Sequence, residues 1–150
     1  MSRQEDLETA FTFFNEVNII SQLSSNSFQR VLPHGLTQSQ FTVLNWFVRV
    51  DSEATPSRLA TALMVTRGAI TNTLAKLEEK GFIVVSPDET SGRQKRVTMT
   101  AAGRAARDDA IAASSAMLDA FNEAFDVEAT KALIPELQKV RKYLDELRYS

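Results

Sequence analysis

The 150-residue chain contains no cysteine, which excludes disulfides, thiolate metal sites and cysteine-based redox sensing. It has one histidine, His34, in the stretch Val31-Leu32-Pro33-His34-Gly35, where proline and glycine punctuate the chain. A single histidine with no carboxylate or second histidine at ligand spacing is poor material for a metal site or for acid–base catalysis. It reads as a surface loop residue or, at best, an effector contact. Glycine and proline are scarce, five and four, and no glycines are grouped into a phosphate-binding loop. The carboxylates are not clustered at metal-ligand spacing either. No enzyme, cofactor or metal is expected. Long apolar runs are also missing: nothing approaches a membrane span, and Met1–Glu8 has no signal-peptide pattern, so a cytoplasmic protein is expected.

What is present is an ordinary globular composition, 43% hydrophobic and 24% charged, enough for one domain with a real core. The net charge of −2 is unevenly spread. Residues 56–107 carry nine Lys/Arg against four Asp/Glu, a local +5, which leaves −7 for the rest of the chain. Local sign, not total charge, sets the field at a contact surface. A basic centre between acidic flanks suits a protein whose middle faces phosphate.

Residues 55–100 explain that centre. Thr55 is a good N-cap and Pro56 fits the first helical position, with Leu59, Ala60 and Leu63 marking one buried face of a short helix. Met64 and Val65 turn the chain, and Thr66 caps a second helix whose Ile70, Leu74 and Leu77 point inward at spacings of four and three. Gly81 ends it. The opposite face carries Arg67, Gly68, Thr71, Asn72 and Lys76: two cations, a small residue and two short hydrogen-bonders. Two readings fit this face: an ordinary solvated surface, or a helix that enters a major groove, where Arg reads guanine, Asn adenine and Thr a thymine methyl or a phosphate.

The following residues separate the two. Phe82-Ile83-Val84-Val85 is β-branched and short, so it reads as a strand. Pro87 to Gly92 reads as a turn, and Arg96-Val97-Thr98-Met99 alternates as the antiparallel return strand. A hairpin tip bearing Arg93, Lys95 and Arg96 after a helix-turn-helix is a wing, which can reach a minor groove or the backbone. Exposed tips also carry charge merely for solubility. The order helix, turn, helix, strand, basic turn, strand is nonetheless specific, and it predicts a winged helix on duplex DNA.

Residues 4–29 read as a helix in which Leu7, Phe11, Phe14, Val17, Ile20 and Leu23 recur helically, broadened by Phe13 and Ile19. The stripe either serves a wide internal core or is shared with a partner. Thr37 caps a helix over 38–50 with Phe41, Leu44, Trp46, Phe47 and Val50. Glu53-Ala54 is the candidate edge strand. Thr100 starts a long helix to about Phe125, alanine-rich at first (Ala101, Ala102, Ala105, Ala106) and so able to pack closely. Asp126 caps a last helix with Leu133, Leu137, Val140, Leu144 and Leu147 on one stripe, and Pro135 should kink or restart it. Terminal apolar helices around a DNA-binding unit need a partner, and the simplest is a second copy.

With these pieces assembled, the chain resembles the MarR family of transcriptional regulators (multiple antibiotic resistance regulators). The resemblance is carried by GLTQSQFTVLNWF at 35–47, the Leu-Ala within SRLATAL at 57–63, TRGAITNTLAKLEEKGFI at 66–83 and PDETSGRQKRVTMTAAGR at 87–104.

 The match extends through the helices on either side, and the Leu77-Glu78…Gly81 ending followed by the wing and its Gly-Arg is its most specific part. There are departures: Ser91 stands where family wings often carry an aspartate, which leaves Asp88 as the acid that could brace Arg93, and Asn72 stands where an arginine is frequent. The resemblance implies a mainly α fold with a small β-hairpin wing, a winged helix-turn-helix at 36–100 flanked by dimerisation helices at 1–30 and 101–150. It implies a homodimer in which the first, fifth and sixth helices form the interface, with Leu7, Phe11, Leu137, Val140, Leu144 and Leu147 expected there. Each recognition helix would enter a half-site of a pseudo-palindrome, the half-sites about 10 bp apart. Arg67, Thr71 and Asn72 are the expected base readers, with Gly68 allowing close approach. Arg58 and Lys76 are expected on phosphates, and Arg93, supported by Lys95, in the minor groove. A small effector ligand is also implied, for which Phe14, Phe41, Trp46 and Phe47 are candidate lining residues, although aromatics at this spacing more often fill cores. The competing function is a winged helix that binds protein and not DNA.

Overall fold

The computed structural model describes residues 2–150; Met1, the first residue of the expected 1–30 segment, lies outside the described residues, as does the side chain of Ser91. The chain divides into two compact units, one ending at Ser114 and the other spanning Ser115–Ser150.

The first unit begins with α1 (Arg3–Val31), closed at its start by a reciprocal capping box between Ser2 and Glu5. α1 buries none of its residues, and Phe11 remains 72% exposed. Its last turns hold the next element: the Gln29 side chain donates to the Leu36 carbonyl (3.2 Å) and accepts from the Gln38 N–H (2.6 Å). α2 (Gln38–Arg49) starts with a second capping box, Thr37 with Gln40, and supplies Val43, Leu44, Trp46 and Phe47 to the core. β1 (Glu53–Ala54), α3 (Pro56–Ala62), α4 (Arg67–Glu79), β2 (Ile83–Asp88), β3 (Ser91–Met99) and α5 (Ala101–Ala113) complete the unit. The strands form an antiparallel sheet in the order β1-β3-β2. Leu44, Leu59, Leu77 and Val97 meet at the centre with no exposed surface. Helices and hairpin therefore share one core, and the outer face of α4 is left free.

Most expected elements lie within two residues of their places, including the edge strand at Glu53–Ala54. Two differ. The hairpin is longer than its sequence suggests: Pro87 and Asp88 belong to β2, and only Glu89 and Thr90 separate the strands. Proline lacks a ladder donor and is tolerated where pairing is irregular, and the register slips between Pro87 and Asp88. The tip is instead closed by the Asp88 carboxylate, which accepts from the Thr90 N–H (3.1 Å) and hydroxyl (2.9 Å). Those bonds hold the Asp88 carboxyl below the usual carboxylate range.

The second difference is the expected helix from Thr100 to about Phe125, which is two helices, α5 and, in the second unit, α6 (Ser115–Ala124). Ser114 is buried, its hydroxyl donates to the Ile111 carbonyl (2.7 Å), and its N–H is shared between Ala110 and Ile111. Serine competes for backbone acceptors in this way and weakens a helix interior.

The second unit is α6 and α7 (Val127–Leu147), the latter capped by Asp126 and continuous through Pro135, so the proline does not restart it. Neither helix buries a residue. Leu118 and Phe121 on α6, Phe125 just after it, and Leu133, Leu137, Leu144 and Leu147 on α7, are exposed. No helix among the described residues is long and apolar enough to cross a membrane.

Candidate nucleic-acid interface

The helix-turn-helix is built by three local devices. Thr55 Oγ1 accepts from the Arg58 N–H and Pro56 occupies the first turn of α3. Met64 adopts a left-handed φ of 55°, and the following Val65 N–H returns to the Ala60 carbonyl (3.0 Å). Thr66 then caps α4 by accepting from Ala69 N–H (3.1 Å). With Ile70, Leu74 and Leu77 buried, the side chains of Arg67, Thr71, Asn72 and Lys76 are all on the exposed face with Gly68 between them.

The far end of α4 is fixed by contacts that local sequence patterns do not reveal. Gly81 takes a φ of 77°. The Thr100 hydroxyl donates to the Gly81 carbonyl (2.7 Å), and the Thr100 N–H donates to the Phe82 carbonyl (3.0 Å). Glu78 Oε2 accepts from the Val85 N–H (3.2 Å), tying the helix to the wing. Lys80 Nζ donates to the His34 carbonyl (2.9 Å), and His34 Nε2 lies 2.8 Å from Asp109 Oδ2. The sole histidine thus does have a carboxylate neighbour, supplied from 75 positions away. Among the described residues no group of three or more His, Cys, Asp or Glu could hold a metal ion.

The exposed face is not equally available. The Thr71 hydroxyl donates to the Arg67 carbonyl (2.8 Å), which spends its proton and leaves its methyl and a lone pair outward. Asn72 and Lys76 make no hydrogen bond or ion pair within the described residues, so the Asn72 amide keeps both donors and its acceptor. Arg58, expected to hold a phosphate, is instead engaged: Nη1 bonds Asp51 Oδ2 at 2.7 Å and its guanidinium stacks over Trp46 at 5.0 Å. The Arg58 hydrogen bond is the main cause that lowers the Asp51 carboxyl from its ordinary value. On the wing, Arg96 pairs with Glu53 (3.1 Å), whereas Arg93 and Lys95 are exposed and unpaired among the described residues. Asp88 makes no hydrogen bond or ion pair with Arg93 among the described residues; its Oδ1 accepts both bonds from Thr90.

Gly68 supplies a test of what this face meets. A methyl group there would have nothing within 4 Å, so Gly68→Ala should stabilise the free protein by about 0.5–1 kcal/mol. If the helix lies against DNA, the same methyl should weaken duplex binding severalfold. Thermal melts and binding titrations read the two effects separately; a more stable protein with unchanged binding would place Gly68 away from DNA.

The four aromatic residues considered for an effector are split between buried positions and an exposed helix face. Trp46 and Phe47 are buried in the core with ring centroids 5.4 Å apart. Phe41 is buried against Phe28 (4.9 Å), and Phe14 is exposed on α1 beside Phe13. A cleft of about 210 Å³ between α2 and α4, lined by residues such as Gln38, Thr42, Val65 and Thr73, includes none of the four. Of the residues expected at a dimer interface, Leu7 and Phe11 are exposed on α1, Leu137, Leu144 and Leu147 are exposed on α7, and Val140 is half-buried.

Comparison with known proteins gives the same outline. A family profile described as MarR family matches residues 34–94. An HTH-type transcriptional regulator of Bacillus cereus is 32% identical over 132 residues, covering 87% of this chain and 83% of that one. The transcriptional activatory protein BadR of Rhodopseudomonas palustris is 34% identical over 94 residues, 61% of this chain and about half of BadR's length (54%). Among solved structures, the regulator BldR of Sulfolobus solfataricus superimposes with a TM-score of 0.75 at 25% identity, covering 95% of this chain and 99% of that one. A mutant MarR of E. coli complexed with operator DNA has a TM-score of 0.74 at 22% identity, covering 88% of this chain and 95% of that one, and shows the shared fold.

Proposed function

Because the chain belongs to the MarR family of transcriptional regulators, we propose that it is a homodimeric repressor that binds a pseudo-palindromic operator in duplex DNA. The observation that carries this reading is the outer face of α4, where Asn72 and Lys76 stand exposed and unpaired beside Gly68, with the unpaired Arg93 and Lys95 on the wing. Asn72 reads adenine through its two-pronged amide, and Thr71 offers its methyl to thymine. Lys76 holds a phosphate, and Arg93 reaches the minor groove with Lys95 beside it. Arg58, already neutralised by Asp51, serves chiefly to pack α3 against Trp46.

The dimer in this proposal is supported by the exposed apolar faces of α1 and, separately, of α7, because apolar patches of that kind mark protein interfaces. Control by a small ligand is the remaining part, and family membership is what supports it. Such a ligand acts by binding better to one separation of the two recognition helices, which shifts the population able to span both half-sites.

Binding-site selection from a random duplex pool, with the bound complex sized in solution, tests the reading. Enrichment of an inverted repeat held by a dimer is the expected result. No enrichment, with low-salt binding no better than to an unrelated acidic polymer, would overturn it in favour of a protein-interaction module.

A further inference from the structure

Arg67 stands on the recognition face, yet its side chain is drawn back from it. Arg67 Nη1 donates to the Ser57 hydroxyl oxygen, linking the first residue of α4 to α3. Both residues are exposed. A bidentate reading of guanine needs the guanidinium fork aimed at a base edge in the groove. A fork leaning on the first helix of a helix-turn-helix faces the strand backbone that this helix crosses.

The chemistry of the pair suits a phosphate. The Ser57 oxygen is used as an acceptor, and its own proton is left to donate; Arg67 retains further N–H donors. Hydroxyl and guanidinium side by side match the oxygens of one phosphate, with charge assistance from the arginine. Arg67 has no carboxylate partner among the described residues, and the first turn of α4 has no acidic residue. The cation does nothing for the helix itself, because a positive charge at a helix N-terminus opposes the dipole.

We propose that Ser57 and Arg67 form a clamp for a single backbone phosphate, in which Ser57 is a positioning residue for Arg67 and base reading falls to Thr71 and Asn72. The proposal rests on the DNA-binding reading above, and moves Arg67 from base reader to backbone contact.

The test compares wild type, Arg67→Gln, Ser57→Ala and Ser57→Thr on the selected operator and on its single-base-pair variants across a range of salt. Arg67→Gln should bind every duplex about tenfold more weakly, and its plot of log affinity against log salt should be shallower by about 0.9. Ser57→Ala should lose about threefold, uniformly across sequences, and Ser57→Thr, which keeps the hydroxyl, should restore binding. If Arg67→Gln instead relaxes preference at one base pair with the salt slope unchanged, Arg67 reads a base and the clamp is overturned. If Ser57→Ala equals wild type while Arg67→Gln is weak, the positioning role is overturned. A wild type that selects no operator overturns the regulator reading and the clamp with it, whereas the first two results arise only on a wild type that does select one.

Discussion

Gly103→Ala is expected to destabilise the winged-helix unit by about 2 kcal/mol. Two effects oppose each other. Alanine in place of a helical glycine favours α5 by about 1 kcal/mol. The added methyl carbon, however, would sit 2.1 Å from the Phe82 carbonyl oxygen and 2.9 Å from Met99 Cγ. Met99 can turn aside, but the Phe82 carbonyl cannot move without the backbone that leads into β2. Overpacking of this kind costs about 1–3 kcal/mol, and the upper end applies where backbone must shift. The net loss should lower Tm by roughly 4–8 °C. It should also weaken DNA binding, because the displaced carbonyl accepts the Thr100 N–H, and Thr100 in turn holds the Gly81 carbonyl at the end of α4. Chemical and thermal denaturation read the first effect and operator titration the second. Gly68→Ala, with open space around its new methyl, is the matched control with the opposite expected sign in stability. If Gly103→Ala melts with wild type, α5 has room to move and the close approach does not hold the unit together.

The pieces of the fold that depend on neighbours in sequence were readable in it. The buried Ile70, Leu74 and Leu77 stripe follows from helical spacing, and the caps at Thr37, Thr55, Thr66, Thr100 and Asp126 from a side-chain oxygen preceding a helix. The order of helix-turn-helix and hairpin follows from these. What was not readable depends on contacts across the chain. Pro87 and Asp88 have turn chemistry, but a register slip lets β2 absorb them. Ser114 breaks the helix after the wing from a buried site that alanine-rich periodicity conceals. Gly103 looks like one more small residue in an alanine-rich turn until Phe82 is placed against it.

The same distinction runs through the candidate site. Sequence spacing identifies which side chains share the outer face of α4, but not which of them are already occupied. Arg58 and Arg93 are both exposed arginines in a basic region, and only the fold shows that Asp51 and Trp46 engage the first. Formal charge therefore overstates the field available to DNA: a cation with a carboxylate at 2.7 Å gives little to a distant phosphate. The cations of α4 and the wing that have no carboxylate partner among the described residues, Arg67, Lys76, Arg93 and Lys95, are the ones whose removal should change the salt dependence most.

The double substitution Leu137→Asp with Leu144→Asp should convert the proposed dimer to a monomer and lower operator affinity by about 100-fold or more. The two side chains lie seven residues apart on α7 and are 47% and 42% exposed in the single chain. Within one subunit, such surface changes cost only about 0.5 kcal/mol each. At a dimer interface they would place unpaired carboxylates out of water, which costs several kcal/mol for each ion, enough to separate the subunits at micromolar concentration. Each winged helix would stay folded, and circular dichroism should still show the helices. It would then bind one half-site at a time, losing the high effective concentration that the linked second half-site provides. Sedimentation and titration on an intact and a half operator measure the two consequences together. A variant that remains dimeric would move the interface away from the α7 stripe. A monomer that binds the intact operator as tightly as wild type would overturn the coupling of two half-sites, and with it the reason for a palindromic target.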